Sequence, residues 1–300
     1  MEFVLGHGTE NDFVLLPDLE GRFDLDPAAV RALCHRRRGL AADGVLRVAP
    51  SPDPGAAWFM DYRNADGSLA EMCGNGVRVF ARYLVEAGLA RAGTFAVATR
   101  AGLRAVELAE DPDGEVSVDM GPARLGEDSM AIVPSPAGPA GSVTSFPGVS
   151  VDVGNPHLAC VTTADLDALD LTVAPGHDVD LFPGGVNVEF LTPLSPEGVT
   201  RLRVHERGSG ETRSCGTGTV AGAVAGLRAA ELDSGTVTVT TPGGVLRVGV
   251  GPGLGSAPGS TTTLTGPAVL VARGEVELAI DPGSAGEMRA LVRLRDTAGV

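Results

Sequence analysis

The chain has 300 residues, 43% of them hydrophobic with few aromatics, and a formal net charge of −15, so it is long enough for two ordinary domains and needs no staples to fold. The acidic excess argues against a nucleic-acid partner, no apolar run approaches membrane-spanning length, and the start, Met1-Glu2-Phe3-Val4, has neither the basic region nor the apolar stretch of a signal peptide. All 23 basic residues are Arg, and the absence of Lys excludes a pyridoxal phosphate Schiff base and a Walker phosphate loop.

Taken in order, residues 1–5 and 12–16 read as strands around the turn His7-Gly8-Thr9-Glu10-Asn11. Asp26-Pro27 opens a helix whose apolar side is Val30, Leu33 and Cys34. Arg36-Arg37-Arg38-Gly39 reads as its basic last turn and glycine stop rather than as a phosphate site. Short strands are expected at 45–48 and 58–62, with Asn64-Ala65-Asp66-Gly67 as a turn. The loop Cys73-Gly74-Asn75-Gly76 then enters a helix over 77–84 that ends near Gly88. Strands at 94–98, 103–108 and 115–120 follow, the last two joined by the turn Asp111-Pro112-Asp113-Gly114. The Pro-, Gly- and Ser-rich stretch from Gly121 to Pro147 reads as the boundary between halves.

The second half repeats this order. A strand at 149–153 precedes Gly154-Asn155-Pro156-His157, another covers 158–161, and 165–171 is weakly helical. Strands at 186–191 and 202–205 lead to a second loop, Cys215-Gly216-Thr217-Gly218, and a helix over 220–227. Strands at 236–240 and 245–250 surround Pro242-Gly243-Gly244. Late strands are expected at 269–272 and 276–280, and, beyond Asp281-Pro282-Gly283, a short helix over 287–295. Cys215 follows Cys73 by 142 residues, and Thr236 follows Thr94 by the same 142. Asn155 follows Asn11, and Arg207 follows Arg63, by 144. One half-length unit therefore occurs twice, pairing short strands with a central helix. That is α+β and not the regular alternation of a Rossmann sheet.

The four cysteines, Cys34, Cys73, Cys160 and Cys215, are scattered rather than framework-spaced, which suits a reduced cytoplasm. Two of them open a Cys-Gly-x-Gly loop at a helix start. A thiol there sits at the positive end of the helix dipole, which favours thiolate. The glycines let backbone N–H groups approach an anion such as a carboxylate. The two loops are expected to face one another and form one site. The five asparagines, Asn11, Asn64, Asn75, Asn155 and Asn187, stand where an uncharged amide is wanted or where turn chemistry is.

Several chemistries compete for the two thiols. Zinc wants closer ligand spacing, and His157 and His205 do not supply it, so no metal is expected. A papain-like nucleophile leaves the second loop unexplained. A dithiol redox pair needs no anion-binding glycine loops. Buried cysteines acting as small hydrophobes are the bland reading, and the polar surroundings weigh against it. Proton transfer at a carbon stereocentre fits best. One group removes the proton from one face and the other returns one to the opposite face. The backbone N–H groups of two helix ends would stabilise the carbanion through its carboxylate. Each sulfur would lie about 3–3.5 Å from the carbon, so the two would stand roughly 6–7 Å apart. Without substrate, closure and oxidation to a disulfide become feasible.

The stretches Asn64-Ala65-Asp66-Gly67-Ser68, Cys73-Gly74-Asn75-Gly76-Val77-Arg78, Glu206-Arg207-Gly208-Ser209-Gly210-Glu211-Thr212 and Cys215-Gly216-Thr217-Gly218 together resemble the signatures of the diaminopimelate epimerases. Gly8-Thr9-Glu10-Asn11-Asp12-Phe13, Gly154-Asn155-Pro156-His157 and Asn187-Val188-Glu189-Phe190 match as well. The resemblance runs to about residue 280. It implies a cofactor-free isomerase that interconverts L,L- and meso-2,6-diaminopimelate for lysine and peptidoglycan precursors. Cys73 and Cys215 would be acid and base. Gly74, Asn75, Gly216 and Thr217 would hold the α-carboxylate at the reacting centre. Asn64, Asn155, Asn187 and Arg207 would read the distal amino-carboxylate, Asn11 and Glu206 would also touch substrate, and His157 and Glu206 would tune the cysteines.

The resemblance further implies two pseudo-symmetric domains, each a mixed, mostly antiparallel strand barrel around a central helix. The first would be 1–121 joined by returning strands at 268–281, the second 122–267, with 282–300 a tail of unassigned role. A homodimer is implied too. One departure is Gly44, where many members carry Gln, so any substrate contact from that side chain is lost. A proline or hydroxyproline racemase is the related alternative, and its substrate lacks the distal group that Arg207 and the asparagines would read. A non-catalytic relative of the fold would be expected to have lost a cysteine, and a thiol oxidoreductase is the more distant possibility.

Overall fold

The computed structural model describes residues 1–294 apart from 24, 112–113, 136–141, 255, 257–258 and 281–287. In chain order the elements are β1 (Glu2–Gly8), β2 (Asn11–Pro17), α1 (Pro27–Cys34), β3 (Gly44–Pro50), β4 (Trp58–Asn64), α2 (Gly74–Glu86), β5 (Gly93–Thr99) and β6 (Gly102–Leu108). Then come β7 (Val116–Pro134), β8 (Val143–Asp152), β9 (Pro156–Val161), a 3-10 turn (Leu166–Ala168), β10 (Asn187–Leu191), β11 (Val199–Glu206) and β12 (Gly210–Thr212). The chain continues with α3 (Gly216–Ala229), β13 (Gly235–Thr241), β14 (Gly244–Val250), β15 (Ser260–Gly266), β16 (Val269–Ile280) and β17 (Met288–Leu294). It divides into two compact units, Met1–Val118 with Gly266–Val300, and Asp119–Thr265.

The ladders state the duplication more firmly than the spacing does. In the first unit β1 and β2 are antiparallel, β2 and β3 parallel, and β3 and β4 antiparallel. After α2, β5 pairs with β4 in parallel, and β5–β6 and β6–β7 are antiparallel. In the second unit β8–β9 are antiparallel, β9–β10 parallel and β10–β11 antiparallel. After α3, β13 pairs with β11 in parallel, and β13–β14 and β14–β15 are antiparallel. The same sequence of pairings occurs twice, each time with the helix between two parallel strands. Each unit is thus a mixed, mostly antiparallel sheet with a helix packed on it.

Both helices are interior. In α2, residues Gly74 to Leu84 are all buried, Asn75, Arg78 and Arg82 among them, so the helix is enclosed on every side although its sequence is not apolar all round. It packs against β1, β2, β3, β4, β6 and β16. In α3 the turns are built from Gly, Ala and Val, small enough for close approach to β8, β9, β10, β11, β13 and β14. Strand β2 is buried on both faces. Val14 and Leu16 meet α1 through Val30 and Leu33, and Phe13 reaches the first turn of α2 at Gly76. Among the described residues the second unit has no counterpart of α1. Leu166, Leu171 and Phe182, from the segment around the 3-10 turn, cover Phe146, Leu158, Val188 and Phe190 instead.

Some expectations change. The described part of the stretch 121–147 is mostly strand: 121–134 complete β7 and 143–147 begin β8, and Ala131, Val133 and Phe146 bury their side chains. The late strands at 269–272 and 276–280 are one strand, β16. The helix expected over 287–295 is β17, paired antiparallel along β16 from Met288 to Leu294. Strand pairing overrides the helix preference of Met, Ala, Leu and Arg there. Helix α1 stops at Cys34, before the basic run. Arg37 and Arg38 N–H groups donate to His35 Nδ1 at 3.1 Å, so the three arginines belong to the following turn. Strands β12 and β15 were not foreseen. Pro112 and Asp113 of one expected turn, Asp281-Pro282-Gly283, and Glu287 and Arg295 at the ends of the expected helix lie outside the described residues. Among the described residues no helix is long and apolar enough to cross a membrane.

Candidate active site

Both cysteines of the glycine loops are N-caps of the interior helices. Cys73 precedes α2 with φ −143° and ψ 119°, and Cys215 precedes α3 with φ −119° and ψ 119°. Extended backbone at the cap turns the chain so that the next N–H groups, from Gly74 and Gly216 onward, have no partner within the helix. Each loop thus presents a thiol and the first backbone N–H groups of a helix at the positive end of its dipole, which suits a carboxylate.

In the first unit Cys73 is half-buried, and its thiol lies 3.7 Å from Asn11 Oδ1. Asn75 Nδ2 donates to the same Asn11 oxygen at 3.3 Å. Asn11 Nδ2 in turn donates to Asp43 Oδ2 at 3.0 Å, and the Asp12 N–H donates to that oxygen at 2.9 Å. Asn11, Cys73 and Asn75 therefore form one cluster, fixed by Asp43. Burial pushes the Asp12 carboxyl up, helped by the nearby charge of Asp43. Asn64 closes β4 opposite Gly44, and its side chain donates to Ser68 Oγ at 2.9 Å, so it is not bonded into that cluster. Gly44 is glycine for a steric reason. A Cβ there would come within 2.7 Å of the Arg63 carbonyl oxygen and of Tyr62 Cε2. Tyr62 fills the space a longer side chain would need.

In the second unit the expected residues are linked more tightly. His157 Nδ1 lies 2.7 Å from Glu189 Oε1, with both side chains fully buried. His157 Nε2 lies 3.0 Å from Asn155 Oδ1, and Asn155 Nδ2 donates to Thr217 Oγ1 at 3.4 Å. The Thr217 hydroxyl is 3.6 Å from Cys215 Sγ, which also accepts from the Gly218 N–H at 3.4 Å. An unbroken chain of polar contacts thus joins Glu189 to the sulfur. Glu206 accepts from Thr212, Asn187 Nδ2 donates to Pro156 O at 3.2 Å, and Asn187 Oδ1 accepts from the Arg207 N–H at 2.9 Å. Arg207 donates through Nη1 to Gly184 O at 2.9 Å. Gly218 permits the crowding: a Cβ there would lie 2.6 Å from Glu189 Oε1 and 3.3 Å from Cys215 Sγ.

The electrostatics separate the four thiols. Burial raises Cys34 and Cys160 to about 12, so both are inert packing residues. Cys215 is pushed well above the ordinary thiol value, first by burial and then by the charges of Glu206 and Glu189. Glu189 is itself raised by burial, against the opposing pull of His157.

Three contributors escaped the sequence reading. Glu189 stands in the motif Asn187-Val188-Glu189-Phe190 with no expected role, although an acid inside the run Val186-Asn187-Val188-Glu189-Phe190-Leu191 is a visible signal. Arg78 stood alone between apolar residues of a helix, the same kind of signal. Asp43 had no signal, because its position depends on the register between β2 and β3.

Two units of one mixed-strand plan, each with an interior helix, define the fold class. Solved structures share it. A hydroxyproline epimerase from Agrobacterium vitis with bound trans-4-hydroxy-L-proline superposes with a TM-score of 0.65 at 19% identity, covering 91% of each chain. A phenazine biosynthesis protein of the PhzF family from Bacillus anthracis gives 0.67 at 14% identity, covering 91% of this chain and 97% of that one. Below that class, the family profile described as diaminopimelate epimerase matches residues 3–126 and 149–271. The chain belongs to the diaminopimelate epimerase family and is an isomerase. Proteins named diaminopimelate epimerase are 53% identical in Rhodococcus jostii and 52% in Mycolicibacterium smegmatis, each covering 92% of this chain and 97% of the relative. The one from Thermobifida fusca is 50% identical, covering 93% and 98%.

Proposed function

We propose that the chain interconverts L,L- and meso-2,6-diaminopimelate by moving a proton at one α-carbon between Cys73 and Cys215. One sulfur, as thiolate, takes the α-proton and leaves the C–H electron pair on carbon, delocalised into the carboxylate. The other, as thiol, gives its proton to the opposite face of that carbon. The product leaves with inverted configuration, and the two sulfurs have exchanged protonation states. The observation that carries this reading is the Cys-Gly-x-Gly N-cap built twice on equivalent helices, because inversion needs two equivalent proton carriers and a carboxylate clamp beside each.

In this reading the backbone N–H groups at Gly74, Asn75, Gly216 and Thr217 bind the α-carboxylate and stabilise the carbanion through it. Asn64, Asn155, Asn187 and Arg207 read the distal amino-carboxylate, Asn11 and Glu206 also contact substrate, and His157 and Glu206 tune the sulfurs. The chemistry drawn uses no cofactor and no metal. A homodimer working in the cytoplasm, supplying lysine and peptidoglycan precursors, completes the reading. The proline-type alternative is disfavoured by Arg207 and Asn187, which a substrate without a distal charged group would leave unused.

The test is turnover of pure L,L-diaminopimelate in deuterium oxide with nothing added. The meso product is expected, carrying one deuterium at the inverted carbon. Absence of turnover, dependence on added pyridoxal phosphate, or equal turnover of proline would overturn the proposal.

A further inference from the structure

Asp43 precedes β3 and is held by its own backbone: its N–H donates to Asp12 O at 2.8 Å, and its carbonyl accepts from the Ala65 N–H at 3.1 Å. From that fixed place one carboxylate oxygen, Oδ2, takes two donors, Asn11 Nδ2 at 3.0 Å and the Asp12 N–H at 2.9 Å. An ionised carboxylate only accepts, so the Asn11 amide must point its NH2 at Asp43 and its carbonyl oxygen away. At the far end Arg78, completely buried in α2, donates through Nη1 to Asn75 Oδ1 at 3.0 Å. A guanidinium only donates, so Asn75 must turn its Nδ2 to Asn11 Oδ1, 3.3 Å away. The two ends agree on one orientation of both amides. The Cys73 thiol, 3.7 Å from the same Asn11 Oδ1, then meets an acceptor and is the donor of that contact.

We propose that Asp43 is a positioning residue of the first loop: by fixing the Asn11 amide it turns a carbonyl oxygen to the Cys73 sulfur and favours the protonated thiol there. This rests on the reading of Cys73 as a proton carrier. The helix dipole pulls the other way, towards thiolate, so the acceptor is a counterweight that keeps on the sulfur a proton to be given. The second loop is built with the opposite polarity. Cys215 Sγ accepts from the Gly218 N–H of its own helix, whereas Cys73 makes no side-chain bond to the first turn of α2. The residue matching Asn11 in the repeat, Asn155, spends its carbonyl oxygen on His157 and turns its Nδ2 to Thr217, not to a sulfur. The other charged groups around the first cluster are Arg36, which pairs with Asp43 Oδ1 at 3.3 Å, and His7, Glu10 and Asp12 at the β1–β2 turn. Arg78 faces it from α2, under the charges of Cys73 and Glu115.

Alkylation of Cys73 by iodoacetamide against pH, followed in the full chain by peptide mass, tests this without substrate. Cys73 is half-buried and the other three cysteines are buried, so it reacts first. Asp43→Ala frees the Asn11 amide and is expected to lower the midpoint by roughly half a pH unit or more. Asp43→Asn removes the charge but can keep its single oxygen where Oδ2 stands, accepting from both donors, so its midpoint should stay near that of the wild type. Asn11→Ala deletes the acceptor and should match Asp43→Ala. An unmoved or raised midpoint in Asp43→Ala or in Asn11→Ala overturns the proposal. An equal fall in Asp43→Asn and Asp43→Ala also overturns it, because the effect would then belong to the charge and not to the amide. Should Asp43→Ala not fold, a lowered midpoint in Asn11→Ala beside a retained one in Asp43→Asn supports the proposal, and any other pair of results overturns it. Since no substrate is involved, the result stands apart from whether diaminopimelate is the substrate.

Discussion

At the residue scale the polar chain from Glu189 to Cys215 has a direction. Asn155 offers a carbonyl oxygen to His157 Nε2 at 3.0 Å, so that nitrogen carries hydrogen. The 2.7 Å contact between His157 Nδ1 and Glu189 Oε1 fixes the other side of the ring. Thr217 Oγ1 already accepts from Asn155, which leaves its hydroxyl hydrogen for the Cys215 sulfur. Glu189 therefore sets the polarity of the chain while its charge works against a thiolate at Cys215. Glu189→Gln keeps the shape and removes that charge. The Cys215 thiol should then ionise more easily, moving the alkaline limb of kcat/KM down by on the order of one pH unit. A pH–rate profile checks it, and an unmoved limb would assign Glu189 a purely structural role. Lone charges in apolar runs marked both Glu189 and Arg78 in the sequence. What could not be read was their partners, because those come from other strands.

At the element scale the β3–β4 hairpin carries a buried charge network. Asp61, 3% exposed, accepts from Arg47, Arg63 and Arg100, and Asp18 also accepts from Arg47. Burial alone would raise Asp61, and the hydrogen bonds from Arg63 and Arg100 outweigh it and hold the carboxyl below its usual range. A group depressed in this way stabilises the fold above its unfolded value. That contribution is lost as pH falls through the lower folded value, so it disappears on the acid side of 3.8. Asp61→Asn should cost about 3 kcal/mol near neutrality by leaving three guanidinium groups short of an anion. It should also flatten the acid limb of stability, as denaturant titrations from pH 7 to pH 2 would reveal.

The same scale shows where pattern reading failed. The segment that pairs as β17 is composed of good helix formers, and its strand state is imposed by the β16 edge and by Met288 and Ala290 packing on the α1 core. Truncation after residue 286 should lower the melting temperature by several degrees and promote self-association through the bared edge. Calorimetry and light scattering would measure the two effects.

At the scale of the whole molecule, the duplication was the most legible feature, because it is written in sparse residues. Two cysteines and two asparagines at matched intervals survive where apolar strand patterns blur, and the repeated order of parallel and antiparallel ladders follows them. The parts without a counterpart, α1 and β17, carry no such markers. In the proposed reaction a chain that holds both copies of the loop would be the covalent equivalent of two subunits and would supply both proton carriers by itself. Cys73→Ser and Cys215→Ser should therefore each lose at least about a hundredfold in turnover while remaining folded. Mixing the two inactive variants under conditions that exchange subunits then distinguishes two arrangements. If each site draws both sulfurs from one chain, every site in a mixed dimer lacks one sulfur and activity stays at the level of the single variants. If sites were shared between chains, half of the dimers would be mixed and each would own one intact site, restoring roughly a quarter of wild-type turnover. The internal repeat argues for the first outcome, and recovery on mixing would show that the duplicated loops serve a partner's site instead of their own.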